Sequence, residues 1–560
     1  MPRFRALVGI LGALITSLVL APNAWAQPLS GTRTFSVGSQ DELTALREAD
    51  ATIEALRRGG DLALRARRDD AQVAGRTHER LGQRHRGIPV FGAEITRQTD
   101  RGVTVSLFGT LYDGITIDTT PSLSSLEAAA VFDRLAGTGR RLTEPRLLVL
   151  PERNGDGYRL VYEARVFAGA SLTAYFIDAS NGDVVWSYND LKTQQPSLPC
   201  QQCTVGDGLG VKGDRKKLSV TTVGGAFLAH DRLRPTDVFT FDLRGDWVRT
   251  LAVLDGGEQL FDADLAADAD NEWMDGASVD AHVGMGWTYD YLFTRFGRQG
   301  LNAENVRMIS LVHPIDRVDI FTAPPELIGI FNLNAFYCGV CGPDGVGLAV
   351  FGEGLPPNVL LDGRRVGYFS GALDVVAHEL AHAVTDFTSA LIPIDESGAL
   401  NEAFSDIIGV EVEHYAEPFF RDGAGQADYL LGEDVIEPGG IRSLPNPQAF
   451  GDPDHYSLRF LGLEDNGGIH TNSLIASHAY YLAIEGGTNR VSGLGVTGVG
   501  AENRGQIELI FFRAFTDFLT PLSNFSAARA ATIQAARDLF GAGSTPEAAV
   551  TQAWNAVGVF

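Results

Sequence analysis

The first patterned stretch is an apolar run, Leu7 to Leu20, behind Arg3 and Arg5 and ahead of Ala24-Trp25-Ala26. A basic start, a short apolar middle and a small-residue cleavage site read as an export signal, which predicts a chain beginning near Gln27. The run is too short to span a membrane, and no later stretch holds about 18 uninterrupted apolar residues, so no membrane span is expected. Residues 27–118 open with helical periodicity and turn to strands such as Gly102–Leu111. Residues 119–194 begin with a predicted helix, Ser122–Gly137, followed by alternating strands at Tyr158–Phe167 and Thr173–Ile177. Asn181-Gly182 then reads as a hairpin turn ahead of Val184–Trp186. A polar linker, Lys192 to Pro199, leads into a glycine-rich region that reads as β to about residue 365, and helical patterning runs from there to Phe560.

Composition and charge narrow the picture. A chain of 560 residues is too long for one compact core and calls for several domains. The net charge is −25, nearly balanced up to residue 194 and strongly acidic beyond it. That balance excludes a nucleic-acid partner and suits an exported protein that binds cations. Four cysteines form two C-x-x-C pairs, Cys200/Cys203 and Cys338/Cys341. They fit disulfides in an exported chain or a structural zinc site, and their pairing is left open. Gly208-Leu-Gly-Val-Lys-Gly213 satisfies the dinucleotide fingerprint, but Lys217–Val223 after it reads as strand, so the helix N-terminus that would hold a phosphate is missing.

Only 11 histidines occur, and two of them lie four apart in Val375-Val-Ala-His378-Glu379-Leu-Ala-His382-Ala-Val384. On a helix, His378 and His382 share one face, and neutral imidazoles at that spacing can hold one zinc ion. Glu379 is one step round, within reach of a water that the metal activates. Catalytic zinc needs a third protein ligand. The next helical stretch supplies candidates: Glu402, Asp406 and Glu413 fall on one stripe of an otherwise apolar segment, where carboxylates are costly unless paired or bound to metal.

H-E-x-x-H followed by Gly398-Ala-Leu-Asn-Glu402-Ala-x-Ser-Asp406 resembles the thermolysin family of secreted zinc endopeptidases. Further segments share the resemblance: Asp465-Asn-Gly-Gly-Ile-His470, Asn334-Ala335-Phe336, Gly451-Asp-Pro-Asp-His-Tyr456 and the ending Ala553–Phe560. It covers about residues 200–560, with an apolar, proline-bearing insertion near 315–330. Upstream, His78-Glu-Arg80-Leu-Gly-Gln83 and Gly87–Gly92 are similar to the family's propeptide domain, and Tyr158–Val185 resembles a PepSY domain.

The resemblance implies an α+β chain. Propeptide domains come first, then a two-lobed catalytic domain with a β-rich N-terminal lobe, a helical C-terminal lobe and a cleft between them. The expected boundaries are a signal peptide at 1–26, propeptide domains at 27–118 and 119–194, and catalytic lobes at 195–390 and 391–560. It implies a secreted, monomeric zymogen that acts on peptides and proteins, with the propeptide serving as intramolecular chaperone and inhibitor. Zinc would be held by His378, His382 and Glu402, with Glu379 as general base and Asp406 orienting His378. His470, oriented by Asp465, would stabilise the oxyanion. Arg442, Asn334 and Ala335 would bind the substrate backbone, and Val375, Leu431, Val435 and Ile441 would form an apolar pocket for the residue after the cut. Asp374, Glu413, Asp428 and Glu433 would hold calcium, with Leu430 replacing one acidic ligand and Asp268/Asp270 as a further candidate pair. One position departs from the pattern: Pro393 stands where the family has a tyrosine whose hydroxyl supports the oxyanion. That leaves a second reading, a zinc-containing peptide-binding pseudo-protease, and a third, a binding protein whose N-terminal domains are the active part.

Overall fold

The computed structural model describes residues 32–38, 43–70, 73–152, 157–168, 171–190, 203–342, 347–419 and 427–560. The signal peptide with its cleavage site, the linker at 192–199 and Cys200 lie outside these residues. The architecture is α+β, as the motifs imply.

The N-terminal part is built on one ten-stranded sheet. Its first half comprises β1 (Thr32–Gly38), β2 (Leu62–Asp69), β3 (Arg76–His85), β4 (Ile88–Asp100) and β5 (Val103–Tyr112), covered by helix α1 (Leu43–Gly59). Its second half comprises β6 (Arg140–Arg141), β7 (Arg146–Pro151), β8 (Tyr158–Ala168), β9 (Ser171–Asp178) and β10 (Val184–Asn189), covered by α2 (Ser125–Ala136). A single parallel pair, Val90 with Val149, joins the halves through β4 and β7. The apolar stripe of each helix meets the inward positions of its sheet: Leu46 and Ile53 against Leu81, Ile95 and Leu107, and Phe132 against Tyr162, Val166 and Ile177. A reciprocal capping box, Ser124 with Glu127, starts α2 where the sequence predicts a helix. The Asn181-Gly182 turn also forms, with Gly182 at φ 81°.

Two five-stranded sheets follow. The first comprises β11 (Cys203–Leu209), β12 (Arg215–Val223), β13 (Ala226–Leu228), β16 (Ala267–Asp268) and β17 (Glu272–Trp273). The second runs in the order β14 (His230–Asp231), β15 (Val238–Asp242), β18 (Met308–Val312), β20 (Leu348–Phe351) and β19 (Ala335–Cys338), so β19 is an edge. Short helices α3 (Trp247–Leu254) and α5 (Pro325–Phe331) flank them. The β reading of this region needs one correction: it contains a 21-residue helix, α4 (Gly276–Phe296). Most of α4 is buried on all sides, so its sequence carries no single apolar stripe. It packs with the helical lobe into one core that includes Val376, Leu380, Phe404, Ile408 and Tyr480.

Helix α6 (Leu373–Asp386) closes the first lobe, and the helical lobe contains α7 (Asp395–Ala416), α8 (Asp465–Glu485), α9 (Arg504–Arg513), a π-turn at Ala514–Phe518, α10 (Phe525–Phe540) and α11 (Thr545–Ala556). No helix among the described residues is long and apolar enough to cross a membrane. Cys338 and Cys341 are bonded to each other, which excludes a four-cysteine zinc site, and Cys203 is disulfide-bonded as well.

Candidate active site and metal centres

Helices α6 and α7 lie side by side at the centre of the cleft. Both are largely buried, so the polar side chains they carry must find partners inside the protein. The Nε2 atoms of His378 and His382 lie 3.2 Å apart. Glu402 brings Oε2 to 3.4 Å from His378 Nε2 and Oε1 to 3.7 Å from His382 Nε2. These three residues place one ligand atom each within 4.8 Å of one another.

The outer ring nitrogens decide whether a cation fits. His378 Nδ1 is 3.1 Å from Asp406 Oδ1. His382 Nδ1 is 3.0 Å from Asn401 Oδ1, while Asn401 donates its amide N–H to the Leu391 carbonyl. The Asn401 oxygen must therefore accept, which places the proton of His382 on Nδ1 and the lone pair on Nε2. The Asp406 carboxylate selects the same tautomer at His378. Once His378 gives up its second proton to a cation, two Nε2 lone pairs face Glu402, whose buried Oε2 has no hydrogen-bond partner among the described residues. Two nitrogens and a carboxylate with one orphaned buried oxygen make a donor set that fits zinc.

Charge is tuned around this point. Burial draws the His382 ring down to about 4, so it is neutral. Burial would lower His378 as well, but Asp406 and Glu402 outweigh it and push the ring up to about 10. Glu402 would be raised by burial, yet the surrounding histidines hold it well below the usual carboxylate range. Glu379, next in the chain on α6 and 7% exposed, is pushed by burial to about 7, against the pull of His378 and with the push of Glu402.

His470 is the half-exposed wall of the same site. Its Nε2 is 3.4 Å from Glu402 Oε2, and its Nδ1 is 2.7 Å from Asp465 Oδ1. The His470 backbone N–H also donates to Asp465 Oδ2 at 2.9 Å. This geometry explains Asp465-Asn-Gly-Gly: residues 465–468 all have positive φ, and a Cβ on Gly467 would fall 2.3 Å from Asp395 Oδ1. Arg442 donates Nε and Nη2 to Asp406 Oδ1 at 3.2 and 2.6 Å, joining the second wall to the His378 support. Leu431 pairs across a short ladder with Arg442. Val375, Leu431 and Val435 are buried in the main core with Ile441 packed against it, and a Cβ on Gly432 would meet Ile441 at 2.8 Å and Val375 at 3.6 Å. Asn334 is exposed and Ala335 buried at the start of the β19 edge.

A second group lies at the far end of α7. Glu413, Asp428 and Glu433 bring an oxygen each within 4.8 Å of one another, and Glu433 Oε2 is buried with no hydrogen-bond partner among the described residues. Burial and the neighbouring carboxylates push Glu433 up to about 9, so the group lacks positive charge, and its hard oxygens fit calcium. Asp374 lies beside it with both oxygens engaged, by Val375 N–H at 2.8 Å and Gly432 N–H at 2.5 Å. Asp268 and Asp270 accept backbone N–H groups of their own turn, and among the described residues no metal-ligating group gathers around them.

Sequence patterning missed three contributors. Asn401 and Ser405, the latter with Oγ 3.2 Å from His382 Nδ1, support the second histidine. Their signal was present, since both fall on the α7 face that carries Glu402. The third is the seat of the propeptide, whose presence the resemblance implies but whose contacts with the helical lobe it does not name. Ile392 and Ile394, flanking Pro393, pack with Leu148, Phe176, Trp186 and Tyr188. Phe108 stacks on Phe518, and Arg80 donates to the carbonyl oxygens of Thr516 and Leu519.

Known proteins carry the same parts. Residues 205–386 match the thermolysin metallopeptidase catalytic domain and residues 389–559 its α-helical domain. Residues 61–111 match the fungalysin/thermolysin propeptide motif. Thermolysin of Alicyclobacillus acidocaldarius subsp. acidocaldarius is 37% identical over 512 residues, covering 87% of this chain and 84% of that protein. The thermostable neutral protease NprT of Geobacillus stearothermophilus is 34% identical over 600 residues, covering 99% and 100%. Bacillolysin of Bacillus caldolyticus is 37% identical over 496 residues, covering 84% and 81%. Catalytic lobes and propeptide together define a metalloendopeptidase made as a precursor. The chain belongs to the thermolysin family.

Proposed function

We propose that the protein is an exported zymogen whose catalytic part cuts peptide bonds ahead of bulky hydrophobic residues. The observation that carries this reading is the convergence of His378, His382 and Glu402 on one point beside Glu379. His378, His382 and Glu402 would hold zinc, which supplies Lewis-acid chemistry by lowering the pKa of a water and polarising the substrate carbonyl. Glu379 takes a proton from the attacking water and delivers it to the leaving amine nitrogen. Asp406 and Asn401 hold the two imidazoles in the tautomer this requires. His470, held by Asp465, donates to the developing oxyanion. Arg442 binds the carbonyl of the residue after the cut, and that residue's side chain enters the wall of Val375, Leu431, Val435 and Ile441. Asn334 and Ala335 add the substrate as a further strand. Glu413, Asp428 and Glu433, with Asp374 beside them, hold calcium.

Residues 1–26 direct export. Domains 27–118 and 119–194 act as chaperone and inhibitor of the lobes at 195–390 and 391–560 until self-cleavage near the linker. Pro393 removes one oxyanion donor, a loss of about 10²–10³ in rate where nothing replaces it. The rival reading is a peptide-binding pseudo-protease. The test compares the exported chain with Glu379→Ala, with and without a zinc chelator. Loss of roughly the first 170 residues and cleavage of a peptide with a central bulky residue by the wild type alone support the enzyme. A zinc-loaded wild type that stays full-length and inert supports the rival.

A further inference from the structure

Strand β19 is the edge on which the proposed substrate strand would lie, and the inference that follows rests on that reading. The strand pairs on one side only, Ala335 with Phe351 through Cys338 with Leu348. Its side chains alternate as a strand requires. Ala335 and Tyr337 point into the core around α6, while Phe336 and Cys338 point into the smaller core of Phe331, Leu348 and Val350.

The two ends of β19 are held differently. At its start, backbone bonds lock the chain: Gly352 N–H donates to the Asn334 carbonyl at 3.0 Å, and Gly354 N–H donates to the Asn332 carbonyl at 2.7 Å. Asn332 returns its side-chain amide to the Gly354 carbonyl at 3.2 Å. Past Cys338 the ladder ends at its pair with Leu348 and the chain leaves it in a turn at 339–340. The Cys338–Cys341 disulfide ties this end instead, with the two Cα atoms 5.6 Å apart. Cys338 is 0% and Cys341 2% exposed, so the bond is seated in the core rather than on a free loop.

A short edge strand anchored at one end frays from the other. Backbone addition of a substrate needs the N–H and C=O groups of that edge in fixed register. We propose that the Cys338–Cys341 disulfide is a positioning device for peptide binding: it holds the far end of the β19 edge in register, so that substrates extending along the strand are bound by it.

The test uses the processed enzyme with the disulfide replaced in two ways, Cys338→Val with Cys341→Ala to keep apolar packing, and Cys338→Ser with Cys341→Ser. KM and kcat are measured for a hexapeptide that runs along the edge and for a blocked dipeptide that spans only the cut bond. The expected result is a KM about tenfold higher for the hexapeptide, roughly the net worth of one lost peptide hydrogen bond, with its kcat within about twofold. The dipeptide constants and the zinc content stay unchanged. Equal changes for both substrates, or none for either, overturn the proposal. Should both variants fail to fold, a Cys200→Ser, Cys203→Ser enzyme reduced with a phosphine and alkylated takes their place, since only the Cys338–Cys341 bond is then opened. Hydrogen exchange is read on the same samples. Faster exchange at Ala335–Cys338 without the bond supports the strand's dependence on it even if no peptide is cut, and unchanged exchange overturns it. An inert wild type with β19 protected only when the disulfide is intact counts against the protease reading and leaves the clamp standing.

Discussion

His378, His382 and Glu402 in the cleft, and Asp70, His78 and Asp517 where the propeptide meets the helical lobe, both bring three metal-capable atoms within 4.8 Å. Their surroundings differ in sign. In the cleft, Arg442 is committed to Asp406, and Glu402 Oε2 is left without a donor. At the interface, Asp70 accepts His78 Nε2 and Arg513 Nη1 at 2.7 Å each, and Asp517 pairs with Arg68. Arg76 reaches Asp538 at 2.8 Å, and Arg513 approaches the same carboxylate at 3.5 Å. Three carboxylates thus meet three guanidinium groups with a neutral imidazole among them, and no charge is left over. Proximity of His and Asp does not by itself make a metal site; the residual charge and the unpaired lone pairs do.

That contrast can be broken or sharpened experimentally. Glu379→Ala should lower peptide cleavage by about 10²–10⁴-fold and stop self-processing, measured by kcat/KM and by chain mass. His382→Ala should remove zinc as read by elemental analysis, whereas His78→Ala should leave metal content unchanged; metal lost from both would erase the distinction. Arg513→Leu leaves Asp70 and Asp517 buried with less positive charge, and should cost the full-length chain about 3–5 kcal/mol in urea unfolding. Removing calcium should lower the thermal midpoint, by about 2.7 kcal/mol of stability if the ion was present at a hundred times its Kd. Glu433→Gln should blunt that response.

The smallest effect is the pH response of the interface. Burial, Arg68 and Arg513 lower the His78 pKa below 6.5 despite the hydrogen bond to Asp70. Arg76, Asp517 and Asp538 complete the charges facing the network. The unfolded chain then binds the proton more readily than the folded one. The stability His78 contributes is complete above about pH 6.5 and is lost as pH falls toward its folded pKa. His78→Gln should flatten that loss in full-length protein, and an unaltered pH profile would remove His78 from the account.

Local signals were legible in the sequence. H-E-x-x-H, Glu402 with Asp406, and Asp465-Asn-Gly-Gly-Ile-His each concentrate their chemistry within a few turns of one element. Helix α4 was not legible, because burial on every side erases the periodicity that marks a surface helix. The interface was not legible either: Arg80 and Thr516 are 436 residues apart, and nothing in either neighbourhood announces the other. Arg442 was read as a substrate group, while its pairing with Asp406 needed the folded ladder to Leu431.

The packing of Ile392, Ile394 and Leu522 beneath Phe91, Phe176 and Trp186 has a colloidal consequence. If the propeptide departs, as proposed, that oily footprint would face water, and the enzyme would become stickier than its precursor. The acidic surplus beyond residue 195 would then act between molecules, keeping freshly released copies apart by mutual repulsion while their newly bared faces are most prone to clump.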